Sequence, residues 1–373
     1  MARHRKFNVD RFLDRLQGHE DIIRAFVGRW DGRLGLDAGR IDVPVFRDFL
    51  LNGEADGKDD LVESLHRVYD LCTDHGHEDL VAACREVPGY DPDPEGKLPV
   101  ECLSLKVRAE NEEAFSRAYD RHALWSAEKF AIYKGSRPCE VADLRRAARR
   151  FGERLAECFR DDKKSDRILV RHYSEGTYVN FIVYHERRTK AHLVFGGTHN
   201  RPCVTPTVFR PAQQDFISYD HQTGQVEIEA REHEEERLRK CFAECCIGEE
   251  GFFEGPGASE RLDLSRIAEE GFELRVDADH SAALTELEFV LRQKHGPTFA
   301  VRSKNTLETL DLNYLRRRLQ GAEIRRAAFK IVFPGDRRGK RVELKGSNKV
   351  SFNRATHAED VFRYLRNWGV ARD

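Results

Sequence analysis

The fold is decided at residues 168–185, which read ILVRHYSEGTYVNFIVYH. Upstream of this stretch the apolar residues recur about every 3.6 positions, as on one face of a helix; within it they alternate with polar residues, as in a half-buried strand. Ser174-Glu175-Gly176 separates two alternating runs, and this arrangement predicts a β-hairpin. The chain therefore changes from a helical first part to a β-rich second part after the polar break 161–166.

Further hairpin signals follow this first pair. Lys190–Phe195 comes after the turn 186–189, which places residue 190 opposite 185, and the runs Phe216–Tyr219 and Val226–Ala230 flank the turn 220–224. Together they predict an antiparallel meander. The segment 232–247 has helical periodicity and is followed by Gly248, so we expect a helix packed on the meander.

The first part of the chain predicts short helices over residues 8–87. The stretch 88–94 holds three prolines, cannot be helical, and is the best linker candidate. Helical pattern resumes at Glu101 and extends to Tyr133, and a longer amphipathic helix is expected over 141–159, with five arginines around its polar face. Such a face is most often solvated.

The last part of the chain predicts strands at 272–276, 298–301, 328–333 and 341–344, a helical or mixed stretch at 282–291, and helices at 314–319 and 358–368. The predicted fold class is α+β and multidomain: a helical N-terminal half, then an antiparallel β-meander and an α/β C-terminal half. The predicted domains are a helical bundle at 1–95, a helical extension at 96–165, the meander with its helix at 166–250, and an α+β domain at 251–373.

Composition excludes several classes of protein. The 373 residues include 63 Lys and Arg against 65 Asp and Glu, a formal charge of −2, and no run approaches the ~18 apolar residues of a membrane span. The basic N-terminus lacks an apolar region, and the nine cysteines form no CxxC pair. We therefore expect a cytoplasmic, bacterial protein with reduced thiols and no membrane partner.

The near-zero total charge hides two opposed blocks. Residues 325–354 hold ten basic and two acidic residues, a local charge of +8, and residues 227–260 hold eleven glutamates and four basic residues, a local charge of −7. A basic hairpin of this kind suits DNA or RNA, because neutralised phosphates release counterions; Arg316-Arg317-Arg318 lies just upstream. The candidate nucleic-acid-binding residues are Arg325, Arg326, Lys330, Arg337, Arg338, Lys340, Arg341, Lys349 and Arg354. The alternatives are a solvated hairpin and one that docks on the acidic block.

The same hairpin contains a weak nuclease signature. Phe333-Pro334-Gly335-Asp336 followed by Val342-Glu343-Leu344-Lys345 resembles the metal-dependent nucleases of the PD-(D/E)xK type. That resemblance implies that Asp336 and Glu343 would bind Mg²⁺ while Lys345 polarises the attacking water. Asp336 precedes Glu343 by only seven residues, which is short for the motif.

Two other groups of metal-binding residue types are present. In the predicted meander His185 and His192 share one sheet face, with His172 further along and His199 in the following loop. Cys241 and Cys245 are one helical turn apart, next to Cys246, but small buried thiols are common in protein cores. No phosphate-binding glycine loop or nucleophile elbow is present, so no cofactor is expected outside the nuclease alternative.

These patterns predict a non-catalytic binding or adaptor protein, with the basic hairpin on nucleic acid and the helical half on a protein partner. A helical front with a basic, β-rich back is similar in outline to multidomain bacterial proteins of mobile or defence gene clusters, and that likeness implies a component of a multiprotein, antiviral defence system. The alternatives are a Mg²⁺-dependent nuclease and a partner-docking or self-associating structural component, whose acidic and basic blocks would meet in the folded state.

Overall fold

The chain folds into two compact units, residues 2–126 and 127–373, here called the helical unit and the sheet unit. The structure is a computed structural model and describes residues 7–30, 32–162, 164–198, 201–291, 296–312, 319, 321–336 and 338–372. The candidate residues Arg316, Arg317, Arg318, Arg337 and His199 lie outside these ranges, as does most of the helix predicted at 314–319.

The helical unit follows the expected periodicity. Its helices are α1 (Val9–Asp14), α2 (Glu20–Gly28), α3 (Val43–Asn52), α4 (Lys58–Asp70), α5 (Asp74–Arg85), α6 (Val100–Glu110) and α7 (Glu112–Trp125). Asn8, Asp42 and Thr73 each cap a helix by accepting a hydrogen bond from a backbone N–H of its first turn. The proline-rich stretch 88–94 connects α5 to α6, and residues on both sides of it enter one hydrophobic core.

The sheet unit is built on one large antiparallel sheet. The strands are β1 (Lys129–Lys134), β2 (Ile168–Glu175), β3 (Tyr178–Glu186), β4 (Lys190–Thr198), β5 (Arg201–Phe209), β6 (Ala212–Asp220), β7 (Gln225–Glu229), β8 (Ser281–Val290), β9 (Thr298–Arg302), β10 (Glu323–Val332), β11 (Lys340–Lys345) and β12 (Lys349–Ser351). Within the described ranges, ten strands pair in the order β2-β3-β6-β7-β1-β12-β11-β10-β8-β9, while β4 and β5 pair only with each other. This architecture confirms the α+β class.

Within the described ranges, four α-helices accompany the sheet: α8 (Leu144–Asp161), α9 (Glu232–Phe242), α10 (Thr306–Leu312) and α11 (Ala358–Asn367). They cover opposite faces of its two halves. Phe151 of α8 and Phe242 of α9 pack on Phe181 of β3, whereas Tyr364 and Leu365 of α11 belong to a second core with β8, β10 and β11. The sheet half made by β8–β12 is therefore packed against helices on one face.

The strand predictions are right for the local hairpins and wrong for one pairing within the meander. The hairpin predicted around residues 174–176 forms, with Ile168 opposite His185, and Phe216–Asp220 pairs with Gln225–Glu229. The predicted pairing of residue 185 with residue 190 is wrong, since His185 lies opposite Gln213 of β6. The arm β4–β5 is inserted between β3 and β6, and its second strand carries Pro202 and Pro206, which hid it from a search for strand patterns.

Two further errors have separate causes, burial on both faces for β1 and an irregular register for β8. Residues 129–134 were expected to continue a helix but form β1, in which Phe130 and Ile132 face one core while Ala131 and Tyr133 face the other. A strand that is apolar on both faces has no period-2 signal. Residues 282–291, expected to be helical or mixed, form β8, whose pairing with β10 contains register shifts. The strand expected at 272–276 is irregular, and β12 was not predicted.

Candidate nucleic-acid interface

Among the described residues, one face of the sheet half β8–β12 carries charged side chains and no helical layer. On β10, Ala327, Phe329 and Ile331 enter the core with α11, so Arg326 and Lys330, which alternate with them, point to the opposite face. The cross-strand partners of Arg326 and Lys330 share that face. We define the open face by nine residues: Glu286, Glu288, Arg302, Arg326, Lys330, Arg341, Glu343, Lys345 and Lys349. Six cations and three carboxylates give it a formal charge of +3.

An ion-pair network holds the arginines of the open face. Arg326 Nε and Nη2 donate to the two oxygens of Glu343 at 2.7 and 2.8 Å, and its Nη1 donates to Glu286 at 3.0 Å. Arg341 and Arg302 also reach Glu286, at 3.0 and 2.9 Å. Burial opposes ionisation of Glu286, but hydrogen bonds from Arg341 and Arg302 outweigh it and lower its pKa. Three arginines thus share two ionised carboxylates and keep a net positive charge.

The lysines of the open face stand opposite other cations. Lys330 pairs in register with Arg341, and Lys345 lies between Arg326 and Lys349. Lys330 and Lys345 are exposed, and within the described ranges neither makes an ion pair. Like charges directly opposite each other on neighbouring strands destabilise a sheet. The open face therefore retains positive charge at a cost to its own stability.

The other predicted hairpin residues lie elsewhere. Arg325 pairs with Glu323, and Arg338 is exposed in the turn between β10 and β11. Lys340 donates to the backbone carbonyls of Asn353 and Thr356, and burial lowers its pKa. Arg354 is buried against Glu227 and lies 4.5 Å from the ring centroid of Phe130. Lys340 and Arg354 are thus tied into the fold, whereas Arg338 faces solvent.

The acidic and basic blocks meet within the sheet unit. Arg354 pairs with Glu227 at 2.7 Å, and Lys349 pairs with Glu232 at 2.9 Å. Six more glutamates of the acidic block pair with cations outside the basic block: Glu234 with Lys164, Glu236 with Lys240, Glu244 with Arg154, Glu249 with Arg137, Glu254 with Lys240, and Glu260 with Arg372. The acidic block is largely neutralised inside one unit, and within the described residues two cations of the basic block, Lys349 and Arg354, contribute to this.

The residues of the nuclease alternative are partly brought together. Asp336 and Glu343 line one groove of about 680 Å³, together with Glu128 and Lys340, and Lys345 is not among its lining residues. Hydrogen bonds from Arg326 hold the pKa of Glu343 below its usual range. A magnesium ion would have to displace Arg326 from both carboxylate oxygens, which disfavours metal binding there.

A buried polar cluster lies at the far end of the sheet, where β3 and β6 meet α9. His185 Nε2 is 2.9 Å from Asp215 Oδ2, and the Gln213 amide donates to Asp215 and, at 3.1 Å, to Glu234. Arg187 Nε donates to the Gln213 oxygen at 2.6 Å. The ligand atoms of His185, Asp215 and Glu234 lie within 4.8 Å of one another, but the Gln213 amide already bridges the two carboxylates. Hydrogen bonds within the cluster thus engage both carboxylates and the Gln213 amide, whereas His185 Nδ1 is buried without a hydrogen-bond partner among the described residues.

The predicted histidine pair does not form. His192 lies on the arm, opposite Thr207, and is exposed. His172 is opposite Phe181 on β2, and burial lowers its pKa. Asp215 and Gln213 were missed by the sequence analysis. They lie two and four positions before Ile217, so all three residues share the buried face of β6. Polar residues at core-facing positions were the available signal.

Among the described residues, the cysteines belong to no metal-ligand cluster. Cys241 Sγ lies 3.8 Å from Cys158 Sγ, and all nine cysteines are free thiols. Burial raises the pKa of Cys245 to about 11 and also raises the pKa values of Cys241 and Cys246. Within the described ranges, the one cluster of three possible metal ligands is His185, Asp215 and Glu234, and it contains no cysteine. Cys241, Cys245 and Cys246 contribute to the core around α8 and α9.

Comparison with known proteins adds no functional information. A search of the described residues for a helix long and apolar enough to cross a membrane finds none. No protein-family model matches the chain, and no curated protein is significantly similar to it.

Proposed function

We propose that this protein is a non-catalytic nucleic-acid-binding protein whose open face contacts the phosphate backbone. The observation that carries the proposal is the placement of Lys330 and Lys345 directly opposite Arg341, Arg326 and Lys349. An arrangement of like charges costs stability in the free protein. A polyanion that binds there removes this repulsion, so binding and charge relief are coupled.

The geometry of the arginines supports the same proposal. Arg302 and Arg341 keep 70% and 54% of their side chains exposed while their guanidinium groups are held by Glu286. A held guanidinium loses little conformational entropy on binding and still has N–H donors for a phosphate oxygen. Glutamates between the arginines thus orient them without neutralising the face.

Binding is favoured over cleavage at this face. Both oxygens of Glu343 accept from Arg326, so the carboxylate that the nuclease alternative requires is already occupied. The alternative makes a separate prediction: Mg²⁺-dependent degradation of a bound oligonucleotide that Glu343→Gln abolishes. Under the proposed function the oligonucleotide is recovered intact in the presence of Mg²⁺.

Salt titration of the full chain tests the proposal. Four phosphate contacts, from Arg302, Lys330, Arg341 and Lys345, predict a slope of log K against log salt of about −3.6, or roughly a 100-fold loss of affinity between 50 and 200 mM salt. Fluorescence anisotropy of a labelled oligonucleotide measures this slope. No binding at 50 mM salt, or a slope shallower than about −1, would contradict electrostatic binding by a multivalent face.

A further inference from the structure

The β4–β5 arm is a two-stranded ribbon separate from the ten-stranded sheet. Its described residues, 190–198 and 201–209, pair antiparallel from Lys190 opposite Phe209 to Thr198 opposite Arg201. A two-stranded hairpin with no layer packed on it is at best marginally stable in water. We therefore expect a binding partner to cover the arm and stabilise it.

One face of the arm is apolar and exposed. Ala191 lies opposite Val208, and Leu193 lies opposite Pro206, so these four side chains share a face. Leu193 and Val208 are 76% and 64% exposed, and Val204, on the same face, is 53% exposed. Contiguous exposed apolar side chains of this kind mark an interaction surface.

The charge of the arm identifies the kind of partner. Residues 187–210 contain five basic residues and no carboxylate, in a chain where Asp and Glu make up 65 of 373 residues and about four would be expected in such a segment. At the base of the arm Arg187 and Arg210 contact Gln213 and Glu186. Like charge opposes pairing of two arms from separate copies. The segment is complementary to a polyanion.

We propose that the arm lies in the major groove of double-stranded DNA. The inference rests on the proposed function and deepens it by naming the substrate class. The major groove of B-DNA is about 12 Å wide and admits a two-stranded β-ribbon, whereas the deep, narrow major groove of duplex RNA does not. At about 3.3 Å per residue, nine-residue strands extend roughly 30 Å, or close to nine base pairs.

The chemistry of the two faces fits a groove. Leu193 and Val208 offer apolar contacts of the kind that the thymine methyl group accepts, and Thr205 and Thr207 on the other face offer hydroxyl groups. Insertion into the hydrocarbon of a membrane would leave the unpaired N–H and C=O groups along both outer edges of the ribbon without hydrogen-bond partners. A hydrated groove leaves those groups solvated, which favours DNA over an anionic membrane.

The test uses three labelled probes: a 24-base-pair DNA duplex, the RNA duplex of the same sequence, and single-stranded DNA. The affinity of each probe is measured for the wild-type full chain and for the double variant Leu193→Ser with Val208→Ser. We expect the variant to bind duplex DNA at least tenfold more weakly, with an unchanged salt slope because no charge is altered. Its affinity for the other two probes should stay within twofold. Lys330→Glu with Lys345→Glu should weaken all three, so failure of the arm and failure of the open face are distinguishable.

A second variant guards against misfolding of the first. Glu186 of β3 pairs with Ala212 of β6, so residues 190–209 can be replaced by Asn-Gly with the sheet left intact, and the same loss on duplex DNA alone is expected. An equal loss on duplex RNA, or no loss on duplex DNA, would overturn the proposal. Two other outcomes would also overturn it: binding of the wild-type chain to phosphatidylserine vesicles, or dimerisation of the wild-type chain in sedimentation. In either case the interaction would have to be lost in the serine variant, which would assign it to the arm.

Discussion

Reversal of charge at Lys330 and Lys345 together is expected to weaken nucleic-acid binding by about 100-fold at 0.1 M salt, since each lost phosphate contact costs roughly tenfold at that concentration and the new carboxylates repel the backbone. The slope of log K against log salt should become shallower by about 2. Fluorescence anisotropy with the same oligonucleotide measures both quantities.

The same variant should be slightly more stable than the wild type. A glutamate at position 330 would face Arg341, and a glutamate at position 345 would lie between Arg326 and Lys349. Three opposed cation pairs become ion pairs, which stabilises the sheet unit by about 0.5–1 kcal/mol. Weaker binding with a higher melting temperature is the signature of residues kept for binding at a cost in stability.

A matched control comes from the arginine face of α8. Arg145 and Arg149 are exposed there, and Arg145→Glu with Arg149→Glu makes the same change in net charge. We expect its affinity to stay within threefold of the wild type, because only the net charge of the chain changes and the open face stays intact. Equal losses in the two variants would show that binding follows total charge and not the open face.

Asp215→Ala is expected to destabilise the sheet unit by about 3–5 kcal/mol, the loss found when one member of a buried charged network is removed. Asp215 is 1% exposed and accepts from His185 and Gln213. Its removal leaves the His185 ring and the Gln213 amide without their acceptor and leaves a cavity beside them. Urea unfolding measures the change.

Asp215→Asn separates the charge from the hydrogen bonds. The asparagine oxygen can still accept from one donor, so we expect about half the loss of Asp215→Ala. Asp166, which pairs with Arg160 at the surface, gives the matched exposed control, and Asp166→Ala should leave the unfolding midpoint unchanged. A loss below about 1 kcal/mol for Asp215→Ala would contradict the buried-network account.

The sequence predicted those parts of the fold that depend on neighbouring residues. The β2–β3 and β6–β7 hairpins and α11 were predicted because alternation and periodicity are local signals. The pairing of β3 with β6 was not, because the twenty-residue arm intervenes and its strands pair only with each other. Strand β1 was mistaken for helix because it is buried on both faces.

About half of the open face was predicted from the sequence. The cations of β10 and β11 were identified from charge density, and Arg326, Lys330, Arg341 and Lys345 lie on one face because they alternate with core residues. Glu286 and Arg302, which organise Arg326 and Arg341, come from β8 and β9. Their contribution depends on a strand that was not expected and on long-range register, so no local pattern could reveal it.

Lysine footprinting of the full chain, with and without saturating nucleic acid, tests whether the open face is the surface that contacts nucleic acid. An amine-reactive reagent followed by peptide mass spectrometry measures the modification rate of each lysine. Lys330 and Lys345 of the open face should be protected several-fold in the complex, while Lys97, whose side chain is 79% exposed in the helical unit, should react equally in both states. Unchanged reactivity of Lys330 and Lys345 when the oligonucleotide is fully bound would contradict the account.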